Sequence, residues 1–282
     1  MLNPAILDQL IAIVGREYVL TEPEDLACYA YDATPIVHLP DAVVLPGNTA
    51  EVAAIVKLAH GQRLPIVPRG GSTNLSGGTV PLQGGIVLAM SRFDRILEID
   101  AENLTATVQP GVITADFHKA VESQGLFYPP DPASMTASTM GGNVGEGAGG
   151  PRGVKYGTTK DYVLGLEVVL PSGDVIRTGN KTVKNVSGYD LTHLFVGAEG
   201  TLGVVTEITV RLLPLPQAKQ TLLAIYDDLD AAAQTVSSII AQKIVPTTLE
   251  LMDKVTMARI EAYKPVGPVS YTHLTLPTIL RV

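Results

Sequence analysis

Four glycines fall within nine residues of the stretch 67–78, and this density constrains the fold more than any other feature of the sequence. The stretch reads Val-Pro-Arg-Gly-Gly-Ser-Thr-Asn-Leu-Ser-Gly-Gly and follows a short apolar run, 64–67, that we interpret as a buried strand cut off by Pro68. Without side chains the backbone can approach a ligand, and its consecutive amides can form a concave anion site. Arg69 adds a cation that can bond phosphate in a bidentate manner. A diphosphate site is one interpretation, and a flexible glycine hairpin is the alternative.

A second glycine-rich stretch, 128–157, favours the ligand-binding interpretation. Eight of its last seventeen residues are glycine. Gly145, Gly147 and Gly150 match the pattern G-x-G-x-x-G, which is typical of a dinucleotide-binding βαβ unit. However, no strand leads into the motif, and Pro151 follows where a long helix would have to begin. We therefore expect a long functional loop that runs alongside a large flat ligand.

The spacing of apolar residues predicts a chain of mixed helices and strands. We expect helices at 4–14, 22–29, 49–61 and 114–124, the third of them N-capped by Thr49 and ended by Gly61. We expect strands at 42–45, 64–67, 85–90, 95–99, 105–109, 162–170, 174–177 and 203–213, with 162–177 forming a hairpin. Pro214 and Pro216 then predict a domain boundary. The segments 221–226, 229–242, 248–252 and 254–263 begin a second α/β unit.

Composition and charge exclude several classes of function. Hydrophobic residues make up 46% of the chain and charged residues 17%, which is a globular composition. The net charge is −8 and no basic run occurs, so we expect no nucleic-acid partner. No apolar run approaches the ~20 residues that span a bilayer, and we expect no transmembrane segment. The N-terminus lacks a signal-peptide pattern and Cys28 is the single cysteine, so we expect a cytoplasmic protein, with a peripheral position at the inner face of the membrane as an alternative.

The histidines give no indication of a metal site. None of the five has metal-ligand spacing to another, namely His38, His60, His118, His193 and His273. His118 lies within the predicted helix 114–124, and His193 lies beside Leu194 and Phe195. We expect both of these side chains in the core.

Three segments, taken in order, resemble those of the vanillyl-alcohol-oxidase-type flavoproteins. The first is Pro-Arg-Gly-Gly-Ser-Thr-Asn-Leu-Ser-Gly-Gly, and the second runs from Pro-Pro-Asp-Pro through Gly-Gly-Asn-Val-Gly-Glu to Lys-Tyr-Gly. The third, at 196–207, is Val-Gly-Ala-Glu-Gly-Thr-Leu-Gly-Val-Val-Thr-Glu, a glycine turn that leads into a strand. Within that family the chain is most similar to the FAD-linked subunit of glycolate oxidase and to the D-lactate and D-2-hydroxyglutarate dehydrogenases. The resemblance covers roughly residues 20–265.

The resemblance implies an α+β fold, with a two-subdomain FAD-binding domain followed by the start of an α/β cap domain. The expected divisions are an N-terminal helical segment (1–40), the FAD-binding domain (41–214), the beginning of the cap (215–268) and a tail (269–282). The tail departs from the family pattern, and we expect it to be foreign to a truncated reading frame; a native strand pair is the alternative.

The resemblance also implies a set of residues that bind FAD without a covalent bond. From the first segment, these are Pro68, Arg69, Gly70, Gly71, Ser72, Thr73, Asn74, Ser76 and Gly77, which hold the diphosphate. Along the path to the flavin they are Pro130, Asp131, Ser134, Ser138, Thr139, Gly142, Asn143 and Gly145, with Ser134, Ser138, Thr139 and Asn143 as side-chain donors. Gly149 and Gly153 would let the backbone approach the ring. At the adenosine end and beside the flavin they are Glu199, Gly200, Gly203, Val204 and Val205, with the Val205 backbone facing the adenine.

The implied reaction is hydride transfer from a D-2-hydroxy acid, such as glycolate or D-lactate, to the flavin, giving the 2-oxo acid. The alternatives are an aldonolactone- or sugar-alcohol-type flavin oxidase and a catalytically silent FAD-binding module. The family's substrate-binding Arg, catalytic His and metal-binding His residues lie in the cap, mostly downstream of residue 282. We therefore name no catalytic residue and expect a divalent metal only in that missing part of the cap. Iron–sulfur and second flavin-type subunits are the implied partners.

We predict that acid precipitation of the FAD-loaded protein releases all yellow colour into the supernatant. Relatives that attach the flavin covalently use a His in the first glycine segment or a Cys in the second, and this chain has neither residue there. The measurement is the flavin absorbance of the supernatant and of the washed pellet. Colour that stays with the pelleted chain would contradict the prediction.

Overall fold

The computed structural model describes residues 2–226, 228–264 and 274–279. In chain order, its helices are α1 (Pro4–Val14), α2 (Pro23–Ala27), α3 (Thr49–Gln62), α4 (Thr114–Glu122), α5 (Met140–Glu146), α6 (Gly153–Tyr156), α7 (Leu191–Phe195), α8 (Leu229–Ala241) and α9 (Lys254–Tyr263). Its strands are β1 (Val19–Leu20), β2 (Ala42–Val44), β3 (Ile66–Arg69), β4 (Ile86–Ala89), β5 (Ile96–Asp100), β6 (Thr105–Val108), β7 (Leu126–Phe127), β8 (Val163–Val169), β9 (Val175–Gly179), β10 (Val204–Arg211), β11 (Leu213–Pro214), β12 (Leu222–Tyr226), β13 (Thr248–Leu249) and β14 (Leu274–Ile279).

The chain divides into two compact units. The first contains the described residues up to Tyr128, together with Pro132–Ala148 and Thr158–Leu215. The second contains Pro129–Asp131, Gly149–Gly157 and the described residues from Pro216 onward. The N-terminal helices α1 and α2 therefore belong to the first unit rather than forming a separate one.

The first sheet of the first unit has the strand order β1-β2-β4-β3. Its strands β2, β4 and β3 are parallel, and β1 is antiparallel to β2. Helix α3 covers the sheet with the apolar face that the sequence predicted, because Val52, Ile55, Val56 and Ala59 are all buried. The expected strand–helix–strand unit is present, but β4 lies between its two strands.

Two predicted boundaries in this region are wrong by one or two residues. The N-cap of α3 is Asn48, whose side chain accepts a hydrogen bond from the Glu51 amide at 3.0 Å, while the Thr49 hydroxyl donates to Glu167. The helix also continues through Gly61 to Gln62, since an isolated glycine lowers helix stability by only ~1 kcal/mol.

Pro68 does not cut off its strand, as the sequence analysis expected, but lies inside β3. Among the described strands, β3 is at the edge of the sheet and pairs with β4 alone. A proline is tolerated in an edge strand because its missing N–H can face away from the neighbouring strand.

The second sheet is antiparallel, with the strand order β5-β6-β10-β8-β9. The predicted hairpin is confirmed, because β8 pairs with β9. The three consecutive strands predicted between residues 85 and 109 also form, but β4 joins the first sheet while β5 and β6 join the second. The two sheets, with their helices, make the first unit an α+β structure.

The second glycine stretch is not the extended loop that its composition suggested. It contains α5, which is N-capped by Thr139, and the short α6. Gly145 lies within α5, and Gly147 ends that helix in a left-handed conformation with φ of 62°. A helix of seven residues with no strand directly before it also differs from a dinucleotide-binding βαβ unit.

The second unit contains a three-stranded sheet with the order β12-β14-β13, together with α8 and α9. Strand β14 is antiparallel to both of its neighbours. Of the tail 269–282, only the six residues of β14, Leu274–Ile279, are described. The foreign origin of the tail stays a prediction. In the part of the chain that the structure describes, no helix combines the length and apolar character needed to cross a bilayer.

Candidate cofactor-binding site

All three glycine segments line one cleft of the first unit. The structure brings together there most of the residues that the sequence analysis named: Pro68, Arg69, Gly70, Gly71, Ser72, Thr73, Asn74, Ser134, Ser138, Thr139, Gly142, Asn143, Gly145, Glu199, Gly200, Gly203, Val204 and Val205. The other lining residues were not predicted from the sequence: Gly78, Thr79, Met90, Pro110, Pro132, Gly141, Glu146, Ala148 and Phe195.

Six named residues lie outside this lining. Ser76 and Gly77 belong to the first segment, and the Ser76 hydroxyl donates to Glu146 at 3.1 Å. The other four lie in the second unit: Pro130, Asp131, Gly149 and Gly153. There Asp131 forms an ion pair with Arg152 at 2.9 Å. A role for these four residues at the cofactor stays a prediction.

The first segment presents free backbone amides. Among the described residues, the amides of 71–74 donate no hydrogen bond to another part of the chain. Ser72 adopts a left-handed conformation with φ of 54°, which breaks the regular strand direction. A row of unpaired amides in an irregular turn forms a concave anion site. This donor set suits a diphosphate, as the sequence predicted.

The glycines at the start of this segment are required for a different reason than expected. A Cβ atom on Gly71 would lie 2.2 Å from the Ala137 carbonyl oxygen, and one on Gly70 would lie 2.3 Å from the Thr139 hydroxyl oxygen. Real Cβ atoms do not approach other atoms so closely. These two glycines therefore let the first segment pack against the second, whereas we had expected them to make room for a ligand.

Arg69 does not present its charge to the cleft as a free cation. Its side chain is buried, and its Nη1 group donates to the carbonyl oxygens of Tyr29 and Tyr31 at 3.3 and 2.7 Å. Its Nη2 group donates to the carbonyl oxygen of Cys28 at 3.4 Å. Burial lowers the pKa of Arg69. The predicted bidentate phosphate contact is replaced by a structural role, in which Arg69 ties the chain around 28–31 to the first segment.

Three of the predicted side-chain donors also point into the protein. Thr139 accepts a hydrogen bond from the Gly142 amide and caps α5. The Asn143 side chain donates to the Thr114 hydroxyl at 2.8 Å, and the Ser138 hydroxyl lies 3.0 Å from the same oxygen. Ser134 accepts a bond from Thr73 at 3.3 Å. The cleft is thus lined here mainly by backbone, and Thr114 is a supporting residue that the sequence analysis did not identify.

Asp32 anchors the first segment from outside the cleft. Its carboxylate accepts hydrogen bonds from Asn74 at 2.7 Å and from the Thr34 hydroxyl at 2.6 Å. Burial acts to raise the pKa of Asp32, but these bonds and the amides of Thr34 and Gly77 outweigh it, so the pKa is lowered. Asp32 therefore remains charged and fixes the Asn74 side chain.

Two carboxylates, Glu146 and Glu199, face the same point of the cleft. A Cβ atom on Gly78 would lie 2.7 Å from Glu199 Oε2 and 3.6 Å from Glu146 Oε1. Burial raises the pKa of Glu146, and the charges of Glu199 and Asp32 raise it further against the hydrogen bond from Ser76. Glu146 is the one acidic residue between 141 and 157, which is the signal that could have identified it.

The histidines take separate positions. His118 is buried, as expected. His193 is partly exposed rather than in the core, because its Nδ1 contacts Asp190 and its Nε2 lies 2.9 Å from the Lys160 carbonyl oxygen. Across the described ranges, no three His, Cys, Asp or Glu side chains are grouped to hold a metal ion.

We predict that Glu146→Gln stabilises the cofactor-free protein increasingly as the pH rises. A carboxyl whose pKa is raised by folding adds stability at low pH, and that stability is lost as the pH rises through the folded-state pKa. Glutamine removes the charge but keeps an oxygen for Ser76. The melting temperatures of variant and wild type should nearly coincide at about pH 4, where an ordinary glutamate is half protonated, and should separate by pH 7 to 8.

The control is Glu102→Gln, since Glu102 is exposed in the turn after β5. The difference in melting temperature between Glu102→Gln and the wild type should not grow with pH as it does for Glu146→Gln. A constant difference between Glu146→Gln and wild type across this range would contradict the prediction.

Comparison with known proteins agrees with this cleft. Residues 40–179 match a family model described as an FAD binding domain, and residues 215–276 match one described as the C-terminal domain of FAD linked oxidases. The chain is 58% identical over 268 residues to the glycolate oxidase subunit GlcD of Bacillus subtilis (strain 168), an alignment that covers 95% of this chain and 57% of that protein.

Two further relatives are a D-lactate dehydrogenase of Anaerostipes hadrus and a D-2-hydroxyglutarate dehydrogenase of Stutzerimonas stutzeri (strain A1501). The first is 41% identical, covering 76% of this chain and 45% of that protein. The second is 37% identical, covering 92% of this chain and 56% of that protein. The chain thus spans about half the length of the curated relatives that it matches.

Solved structures show the same fold. Alkyldihydroxyacetonephosphate synthase superposes with a TM-score of 0.86 at 24% identity, over 99% of this chain and 56% of that one. A substrate-bound p-cresol methylhydroxylase superposes with a TM-score of 0.78 at 20% identity, over 99% of this chain and 61% of that one. The predicted α+β fold and the predicted FAD cofactor are confirmed. The chain belongs to the FAD-linked oxidases, whose domain models match it over residues 40–179 and 215–276.

Proposed function

We propose that the protein is an FAD-dependent oxidoreductase that converts a D-2-hydroxy acid, such as glycolate or D-lactate, into the 2-oxo acid. The observation that carries the cofactor assignment is the row of free amides at 71–74, in a cleft that all three glycine segments line. The substrate class is supported by the names of the relatives, which include a glycolate oxidase subunit and dehydrogenases of two D-2-hydroxy acids.

The residues present fit a dinucleotide that carries a diphosphate. The four amides of 71–74 would bind the phosphate oxygens, and the backbone at the start of β10, including Val204 and Val205, would contact the adenosine end. When bound, FAD supplies the acceptor for a hydride from the α-carbon of the acid. The contribution of this chain is to hold and orient the cofactor, while the residue that takes the hydroxyl proton stays unassigned.

The charges in the cleft support one orientation of FAD. Carboxylates repel phosphate at short range, so the diphosphate cannot lie beside Glu146 and Glu199. Carboxylates are acceptors for hydroxyl and N–H groups. We therefore place the diphosphate at the amides of 71–74 and a hydroxyl- or N–H-bearing part of the cofactor beside the two glutamates.

Substrate, partners and location go beyond this chain. Since the curated relatives are about twice as long, the substrate-binding and proton-accepting groups are proposed to belong to their C-terminal part. One relative is named as a subunit, which supports assembly with partner chains. Iron–sulfur and second flavin-type partners, and a peripheral position at a membrane, stay predictions.

We predict that Gly71→Asp abolishes FAD binding. The new side chain would meet the Ala137 carbonyl oxygen at 2.2 Å from its Cβ atom, which forces the first and second segments apart. Its negative charge would also repel the diphosphate. The measurement is the amount of flavin that copurifies with the protein, together with a titration by FAD.

Gly61→Ala is the matched control, because a Cβ atom there has no neighbour within 4 Å and an alanine favours the helix α3. This variant should bind FAD like the wild type. A full complement of flavin in Gly71→Asp would show that the cofactor lies elsewhere.

We predict that the 282-residue chain binds FAD but that 2-hydroxy acids do not reduce its bound flavin. When the chain is joined to the C-terminal remainder of the Bacillus subtilis relative, we expect these acids to reduce the flavin. Positioning of the substrate and of a general base each supplies orders of magnitude in rate. The measurement is bleaching of the flavin absorbance after anaerobic mixing with glycolate, D-lactate or D-2-hydroxyglutarate, with L-lactate as the control.

Each result bears on a separate part of the proposal. Bleaching of the 282-residue chain alone would show that it contains the catalytic base. A joined protein that holds FAD and is bleached by none of the three acids would contradict the substrate class. Failure of either protein to bind FAD would contradict the cofactor assignment.

A further inference from the structure

Thr114 supports the second glycine segment from inside the protein. It is the first residue of α4, and its side chain is fully buried. Its hydroxyl oxygen lies 3.0 Å from the Ser138 carbonyl oxygen, 3.0 Å from the Ser138 hydroxyl and 2.8 Å from the Asn143 side-chain nitrogen. A threonine hydroxyl can donate one hydrogen bond and accept two. Donation to the Ser138 carbonyl and acceptance from the other two groups satisfies all three sites.

The partners of Thr114 reach the cofactor cleft, although Thr114 itself does not line it. Ser138 comes immediately before the N-cap of α5, and Asn143 lies in the middle of that helix. Both side chains are more than nine-tenths buried. One hydroxyl thus fixes the beginning and the middle of the segment whose backbone forms this wall of the cleft.

The hydroxyl acts in addition to a separate backbone ladder between the same two parts of the chain. The Thr114 amide donates to the Ser138 carbonyl at 2.9 Å, the Ala115 amide to Met135 at 2.9 Å and the Met140 amide to Val112 at 2.9 Å. These bonds do not involve the Thr114 side chain. Replacing the hydroxyl with a methyl group therefore leaves the ladder in place and changes only the support of Ser138 and Asn143.

We propose that Thr114 is a positioning residue for FAD, which sets the wall formed by 138–145 through Ser138 and Asn143. The proposal rests on FAD binding in this cleft, as proposed above. Without the hydroxyl, the Asn143 amide and the Ser138 hydroxyl lose a buried partner. They gain a partner by turning toward the cleft or by admitting water, and either change alters the surroundings of the bound cofactor.

The experiment compares Thr114→Val with Thr114→Ser and with Thr192→Val. Thr192 is a matched control, since it is also buried and its hydroxyl donates to Thr178 at 3.0 Å, and neither of these two residues lines the cleft. Three properties are measured: the Kd for FAD from quenching of flavin fluorescence, the visible circular dichroism of the bound flavin, and the melting temperature without cofactor.

Thr114→Val should raise the Kd about tenfold and change the circular dichroism of the bound flavin, because a buried polar group loses its partner. Thr114→Ser keeps the hydroxyl and should restore both properties. Thr192→Val should lower the melting temperature and leave the Kd and the circular dichroism as in the wild type. Thr114→Ala replaces Thr114→Val if the valine variant does not fold.

Two results would overturn the proposal: a wild-type Kd and spectrum in the variants without the hydroxyl, or an equal change of Kd in Thr192→Val. The second result would show a general loss of stability rather than positioning. A wild-type protein that binds no FAD would overturn the proposed function and this inference together. This outcome is distinguishable from the two results above, because it is seen in the wild type and not in the variants.

Discussion

The cofactor cleft depends on the close approach of two loops, the first of which carries no side chain at the contact. Gly70 and Gly71 place the backbone that follows β3 directly against Ala137 and Thr139. An atom the size of a methyl group at either position would separate the loops. The first segment continues from an edge strand of the first sheet and the second leads into α5, so this contact joins the segment with the free amides of 71–74 to the segment that contains α5. Glycine is required at these two positions so that the two loops can pack together, and the shape of the cleft depends on that packing.

The proposed diphosphate site relies on backbone dipoles rather than on a full positive charge. The obvious cation, Arg69, is surrounded by three backbone carbonyl oxygens and holds the chain at 28–31. Glu146 and Glu199 make the part of the cleft beside Gly78 negative. Preorganised amides pay no cost of reorientation when the ligand binds, whereas a flexible arginine would lose side-chain entropy. The proposed arrangement therefore discriminates by position, with the phosphate at the amides of 71–74.

The sequence predicted those features that depend on neighbouring residues. The apolar face of α3 and the hairpin of β8 and β9 are both local patterns, and both are confirmed by the structure. Features set by distant residues could not be predicted. Strand β4 enters between β2 and β3, and the partner of Ser138 and Asn143 is Thr114, at least 24 residues earlier in the chain. A short polar side chain in a glycine-rich segment can bond a ligand or the protein, and only the fold decides between them.

Two residues of the cleft adopt backbone conformations that favour glycine, yet neither is glycine. Ser72 has φ of 54° and Glu199 has φ of 51°, and each such residue costs roughly 1–2 kcal/mol. Local bonds offset part of this cost, because the Ser72 hydroxyl bonds Tyr31 and Thr79 and the Glu199 amide donates to Gly145 at 2.9 Å. Glycine at either position would remove the strain but also the side chain. Glycine at position 72 would lose the hydrogen bonds of the hydroxyl to Tyr31 and Thr79. Glycine at position 199 would remove the carboxylate that faces Glu146. The strain is thus the consequence of requiring both a sharp backbone turn and a polar side chain at the same place.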